Sequence, residues 1–165
     1  MTFKGHISLA ILPLAIYYQD NIFQTNNLII LGFVLLGAIL PDIDEPNSYI
    51  GRKIPFISIL LKDMFNIEHR TITHTIFIPL MIAIIAFSIN NEFLLALSFG
   101  ILMHDVGDML TKGGVPIFYP FIKTNIRLLP KKITFYTASP VEYLLIILIW
   151  GIILFYLLNN GVNLL

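Results

Sequence analysis

Cysteine is absent from this chain, which removes disulfides and thiolate metal sites and leaves the redox compartment undetermined. Charge is scarce: 12% of the 165 residues are charged, against roughly 25% in soluble domains. Ten basic and ten acidic residues cancel, so no excess of positive charge is present to hold nucleic acid. The apolar run at the amino terminus is broken by Pro13 and lacks a small-residue cleavage site. It therefore reads as a retained segment rather than a signal peptide. No internal repeat or low-complexity tract stands out.

What fills the space is apolar. Hydrophobic residues make up 57% of the chain, above the roughly 45–50% of soluble domains, and this predicts one integral membrane domain over residues 1–165. Five apolar segments can be marked, at 7–18, 28–40, 72–89, 93–106 and 141–158. The third and fifth reach the roughly 17–25 residues needed to cross a bilayer. The other three do so only by taking in a polar cluster at one end. Polar groups drawn into a span face the bundle interior, where partners satisfy them. The expected fold is all-α, a polytopic membrane helical bundle with a polar floor.

Basic residues predict the orientation. None occurs in 19–27, in the Asn90-Asn91-Glu92 turn or after residue 158. All ten lie at Lys4, between Arg52 and Arg70, or between Lys112 and Lys132. Five spans put these three places on one side, which the positive-inside rule makes the cytoplasm. Between the spans, 54–61 reads as a short interfacial or re-entrant helix. The Gly-, Pro- and aromatic-rich loop 109–140 is expected to fold back over the polar floor.

Four polar clusters fall on that same side: Gly5-His6, Pro41-Asp42-Ile43-Asp44, Glu68 to His74, and His104 to Asp108. All four histidines of the chain belong to them. Such groups at helix ends in a membrane are costly unless they bind something, and the expectation is that they meet and hold metal. His104 and Asp108 are four apart, so a helix puts them on one face. Asp42 and Asp44, two apart after Pro41, suit an irregular turn that offers two carboxylates to one centre. His69 and His74 would stand about 140° apart on a regular helix. They converge only if His69 precedes the helix, whose start Thr71 or Thr73 would cap.

Imidazoles mixed with carboxylates suit zinc, with manganese or iron as alternatives, and are too rich in nitrogen for calcium or magnesium. The seven candidates, His6, Asp42, Asp44, His69, His74, His104 and Asp108, exceed the four of a closed zinc site. Either two ions bind, or some of the seven support the ligands.

The motifs Gly5-His6, LPDIDEPNS, HRTITHT and HDVGDMLTKGGVP resemble those of the YdjM-like family of membrane-bound metal-dependent hydrolases. That family is also described as LexA-binding, inner-membrane-associated hydrolases. The resemblance runs from Gly5 to about Pro120 and implies the same seven metal-site positions. It implies a hydrolase of the inner or plasma membrane, with its site on the cytoplasmic side. In such a site Arg70 is the candidate partner for an anionic substrate oxygen. Asp105 or Glu68 is the candidate general base, and Thr73 and Thr111 would donate to metal-bound carboxylates. A site at membrane depth favours an amphiphile, and the expected substrate is a lipid or polyprenyl phosphoester. Two other classes stay open. A non-catalytic metal-binding membrane protein that anchors a protein partner needs only a closed site. A metal transporter needs ligands near the bilayer midplane with access from both sides.

Overall fold

The computed structural model describes residues 1–18, 22, 24–61 and 70–160. Its regular elements are helices, with no β-strand among the described residues. Among the described residues seven α-helices follow in order: α1 (Phe3–Tyr18), α2 (Thr25–Ile39), α3 (Tyr49–Lys53), α4 (Pro55–Ile59), α5 (Phe77–Ser88), α6 (Glu92–Met109) and α7 (Pro140–Asn160). Each of the five apolar segments of the sequence is one of the long helices. The short helix expected at 54–61 is α4, and α3 precedes it.

Helix α6 is the central element and packs against α1, α2 and α5, while α7 lies on α1. Its start is set by Asn91, whose side chain accepts from the Leu94 amide at 2.9 Å. Asn90 takes a left-handed φ of 51° to close the turn from α5, a conformation asparagine tolerates well. The core is small and close-packed: Ala10, Ile30, Val34, Ala38 and Ala96 bury between α1, α2 and α6.

The α2–α6 contact is the tightest in the bundle. A Cβ built on Gly37 would lie 2.2 Å from the Leu97 carbonyl, and one on Gly100 would lie 2.1 Å from the Val34 carbonyl. No side chain fits between these backbones. Small residues at a crossing let helices approach this closely, as membrane helices often do.

Helix α5 starts later than the 72–89 segment implied. Ile72–His74 winds as a short 3-10 turn, and Thr75 is extended. Thr75 Oγ1 donates to the carbonyls of Ile117 and Tyr119, and the Ile76 amide donates to Ile117. These residues are committed to the long loop rather than to the helix. That loop, 110–139, has no helix or strand and is tied by isolated bridges at Thr111–Phe135 and Val115–Ile126. Its Val115 and Ile117 bury with Met109 against Ile76 and Val106, so it covers the junction of α5 and α6.

Among the described residues two helical stretches are long and apolar enough to cross a membrane by length and composition, Thr25–Asp44 and Pro140–Asn159, while Phe77–Ser88 is a shorter apolar helix. Helix α5 turns Met81, Ile84 and Phe87 outward, and α7 turns Ile147, Leu154 and Phe155 outward, each more than half exposed.

Candidate metal centre

Helix α2 delivers the first carboxylates. It runs into a 3-10 turn, Leu40–Asp44, in which Pro41 occupies an early position where its missing amide costs nothing. Ser48 locks the turn from below. Its hydroxyl donates to the Asp42 carbonyl at 2.7 Å and accepts from the Gly51 amide at 2.8 Å, so one side chain holds the Asp42 backbone and caps α3.

The 3-10 turn before α5 supplies His74. Thr73 Oγ1 donates to Asp44 Oδ2 at 2.5 Å and lies 2.9 Å from His74 Nδ1. With its proton given to the carboxylate, the hydroxyl oxygen accepts from His74, which places the imidazole hydrogen on Nδ1. His74 Nε2 is left with the lone pair.

Helix α6 supplies His104 and Asp108 from one face. His104 Nδ1 stands 2.7 Å from the Ala38 carbonyl. A carbonyl only accepts, so here too the hydrogen is on Nδ1 and the lone pair on Nε2. The contact exists because Gly37 and Gly100 bring α2 against α6. Gly107 plays the equivalent part for α1. A Cβ there would lie 3.0 Å from His6 Nδ1, and without it the His6 ring stacks on His104 at 3.7 Å between centroids, nearly parallel.

The two lone pairs then confront each other, His74 Nε2 and His104 Nε2 being 3.2 Å apart. Both rings are fully buried. Facing lone pairs repel unless a proton or a metal ion lies against both. Asp42 Oδ1 is 3.7 Å from the His74 nitrogen and 3.6 Å from the His104 nitrogen, and Asp108 Oδ2 is 3.8 Å from that of His74. Two groups therefore have ligand atoms close enough for one ion, His6–Asp42–His104 and His74–His104–Asp108, joined at His104. Two imidazole nitrogens on a tetrahedral zinc, at roughly 2.0–2.1 Å each, stand about 3.3 Å apart. His6 adds a further opening, because neither of its buried ring nitrogens makes a hydrogen bond, although Nε2 lies 3.4 Å from Asp108 Oδ1. The residues present fit a transition-metal ion.

The other sequence candidates are distributed around this core. Asp44 sits on the Nδ1 side of His74, at 4.0 Å, where it orients the ring through Thr73. Arg70, with a left-handed φ of 61°, pairs through Nη2 with Asp108 Oδ2 at 2.8 Å and donates to the Gly114 carbonyl. The amino-terminal ammonium of Met1 also pairs with Asp108. Thr111 donates to the backbone carbonyl of Asp108, where a bond to a carboxylate was expected. Thr73 does reach a carboxylate, that of Asp44. Thr71 makes no side-chain cap. Asp105 is fully buried, and both of its oxygens lack a hydrogen-bond partner among the described residues. Glu68 and His69 lie outside the described residues.

Sequence reasoning missed Glu142. This fully buried carboxylate accepts from the Thr2 amide, the Thr2 hydroxyl and the Ala138 amide at 2.6–2.7 Å, tying the start of α7 to the start of α1 just before His6. The available signal was that Glu142 is the only charged residue in α7.

Comparison with known proteins agrees with these motifs. The family model described as YdjM inner membrane protein matches residues 1–164. Inner membrane protein YdjM of Escherichia coli (strain K12) is 33% identical over 95 residues, covering 52% of this chain and 46% of that protein. The chain thus matches a little under half the length of that relative. The uncharacterized protein YvsG of Bacillus subtilis (strain 168) is 32% identical over 124 residues, covering 73% of this chain and 74% of that protein. No solved structure matches. With the family model aligned over nearly its whole length, the chain belongs to the YdjM family of inner membrane proteins.

Proposed function

We propose that this protein is a multi-pass membrane hydrolase that uses a divalent transition metal, zinc first, to cleave a phosphoester of an amphiphile. The observation that carries the reading is the pair of Nε2 lone pairs 3.2 Å apart, flanked by Asp42 and Asp108. A shared proton would relieve that repulsion, but two carboxylates within 4 Å add negative charge that a divalent ion balances better. His6, Asp42, His74, His104 and Asp108 are the residues that would hold one or two ions. A divalent ion there supplies Lewis acidity, both to a water nucleophile and to the bond under attack. The chain's own groups do the rest. Thr73 and Asp44 keep His74 in its Nδ1–H tautomer, and Ala38 does the same for His104. Arg70 holds Asp108 in place. Asp105, fully buried next to His104 on α6 and without a hydrogen-bond partner among the described residues, is positioned to store a proton.

The membrane arrangement belongs to the same proposal. All five long helices cross the bilayer, and the basic residues together with the metal residues face the cytoplasm. The outward apolar faces of α5 and α7 support it. So does the printed name of the Escherichia coli relative.

The test is metal content by elemental analysis of detergent-purified protein, followed by turnover of lipid phosphoesters with and without chelator. One to two equivalents of metal, and activity that falls with chelator and returns with zinc, are the expected results. Wild-type protein that neither carries nor takes up zinc, manganese or iron would remove the hydrolase reading.

A further inference from the structure

Only one residue of the two metal groups opens outward. The side chains of His6, His74, His104 and Asp108 are at most 1% exposed, whereas that of Asp42 is 21% exposed. It forms part of the wall of a 520 Å³ cavity whose other walls are the start of α1, residues 47–52 and Tyr143 of α7. Lys4 and Arg52 line this cavity from opposite elements, and neither has an ion-pair partner among the described residues. Asp42 is the only acid among the described lining residues, and its carboxylate is turned toward His74 and His104. Phe3 and Tyr49, stacked at 3.9 Å, form part of the same wall.

Two cations without an ion-pair partner among the described residues, on a cavity that reaches the exposed ligand, make a receiving site for an anion. A guanidinium presents a planar fork suited to two oxygens of one phosphate, and an ammonium adds a point charge from the other side. We propose that this cavity is the subsite for a phosphate-type anionic group, with Arg52 and Lys4 as its ligands and Asp42 at its inner edge. The inference rests on the hydrolase reading for what lies beyond Asp42, and it moves substrate recognition away from Arg70, which Asp108 already engages. The anion arrives either as a free phosphate compound or as the headgroup of a lipid.

The measurement is calorimetric binding of inorganic phosphate and of dioctanoyl phosphatidic acid, with dioctanoylglycerol as uncharged control. Wild type is compared with Lys4→Gln, Arg52→Gln, Arg52→Lys and the double Lys4→Gln/Arg52→Gln variant, and metal content is measured on every sample. Each single glutamine variant should weaken binding about three- to fivefold and the double about tenfold or more, as expected for partly solvated charge pairs. Arg52→Lys should recover part of the loss, and metal content should stay at the wild-type level. Preferential binding of phosphatidic acid over phosphate identifies a lipid headgroup, and comparable binding of both identifies a free phosphate compound. Unchanged affinity in the double variant overturns the subsite, as does absence of binding by wild type at millimolar ligand. If wild type holds no metal yet the cation dependence persists, the hydrolase reading fails while the anion site stands.

Discussion

His74 Nε2 and His104 Nε2 stand 3.2 Å apart with their protonated Nδ1 atoms committed to Thr73 and to the Ala38 carbonyl. That relationship aims two lone pairs at one point in a fully buried space, and it generates the first expectation. His74→Ala and His104→Ala should each lose most of the bound metal, since each removes a nitrogen that no neighbour replaces. Elemental analysis of the purified variants checks it. If both retain wild-type metal, the pair shares a proton rather than an ion.

Thr73 stands one bond further out. Thr73→Val removes the hydroxyl that links Asp44 to His74 while keeping the shape. Loss of such an orienting hydrogen bond typically costs about 10–100-fold in metal affinity. Thr73→Ser should recover most of it. Competition against a chromophoric chelator measures both, and equal affinity in all three proteins would mean that His74 needs no orientation.

The Gly37–Gly100 crossing predicts a packing defect with a chemical consequence. Gly100→Val forces α6 away from the Val34 carbonyl, at a cost of about 1–3 kcal/mol or more for overpacking. It should also lengthen the His104–Ala38 contact. The expected result is a lower thermal midpoint in detergent together with weaker metal binding. Gly151, whose Cβ would meet nothing within 4 Å, is the control: Gly151→Val should leave metal binding unchanged.

Glu142 holds α7 to α1. Glu142→Gln keeps the volume but replaces one of the two acceptor oxygens with an amide donor, so at least one of the donors from Thr2 and Ala138 is left unsatisfied in a buried place. The expected loss is about 1–3 kcal/mol of stability, read as a lower thermal midpoint. Zinc added to saturation should recover part of it, because a ligand bound only by the folded state stabilises that state.

Much of this protein was legible in its order of residues. Apolar runs separated by turn residues read as helices, and each of the five marked segments contains one. His104 and Asp108 share a face because a helix repeats every 3.6 residues, which is local geometry. The placement of His6, Asp42, His74 and His104 at helix ends pointed to one centre for the same reason. Length alone decided less. Helix α5 gave up its first turn to the loop 110–139, because the Ile117 and Tyr119 carbonyls compete for Thr75 and Ile76.

The tertiary structure decided the roles. Asp42 and Asp44 are equivalent by spacing, but the 3-10 turn sends Asp42 toward the imidazoles and Asp44 toward Thr73, since successive residues on a tight turn point in different directions. Arg70 is drawn to Asp108 across 38 residues of sequence by charge. Glu142 is buried because three donors from two helix starts converge on it. Lys4 and Arg52 count equally with every other basic residue in a sequence. They become a pair only because the start of α1 and the turn after Asp42 wall the same cavity. Helix positions and candidate ligands follow from local periodicity and the cost of burying polar groups. Which group binds, which orients and which receives follows from contacts between elements far apart in the chain, and those exist only in the folded molecule.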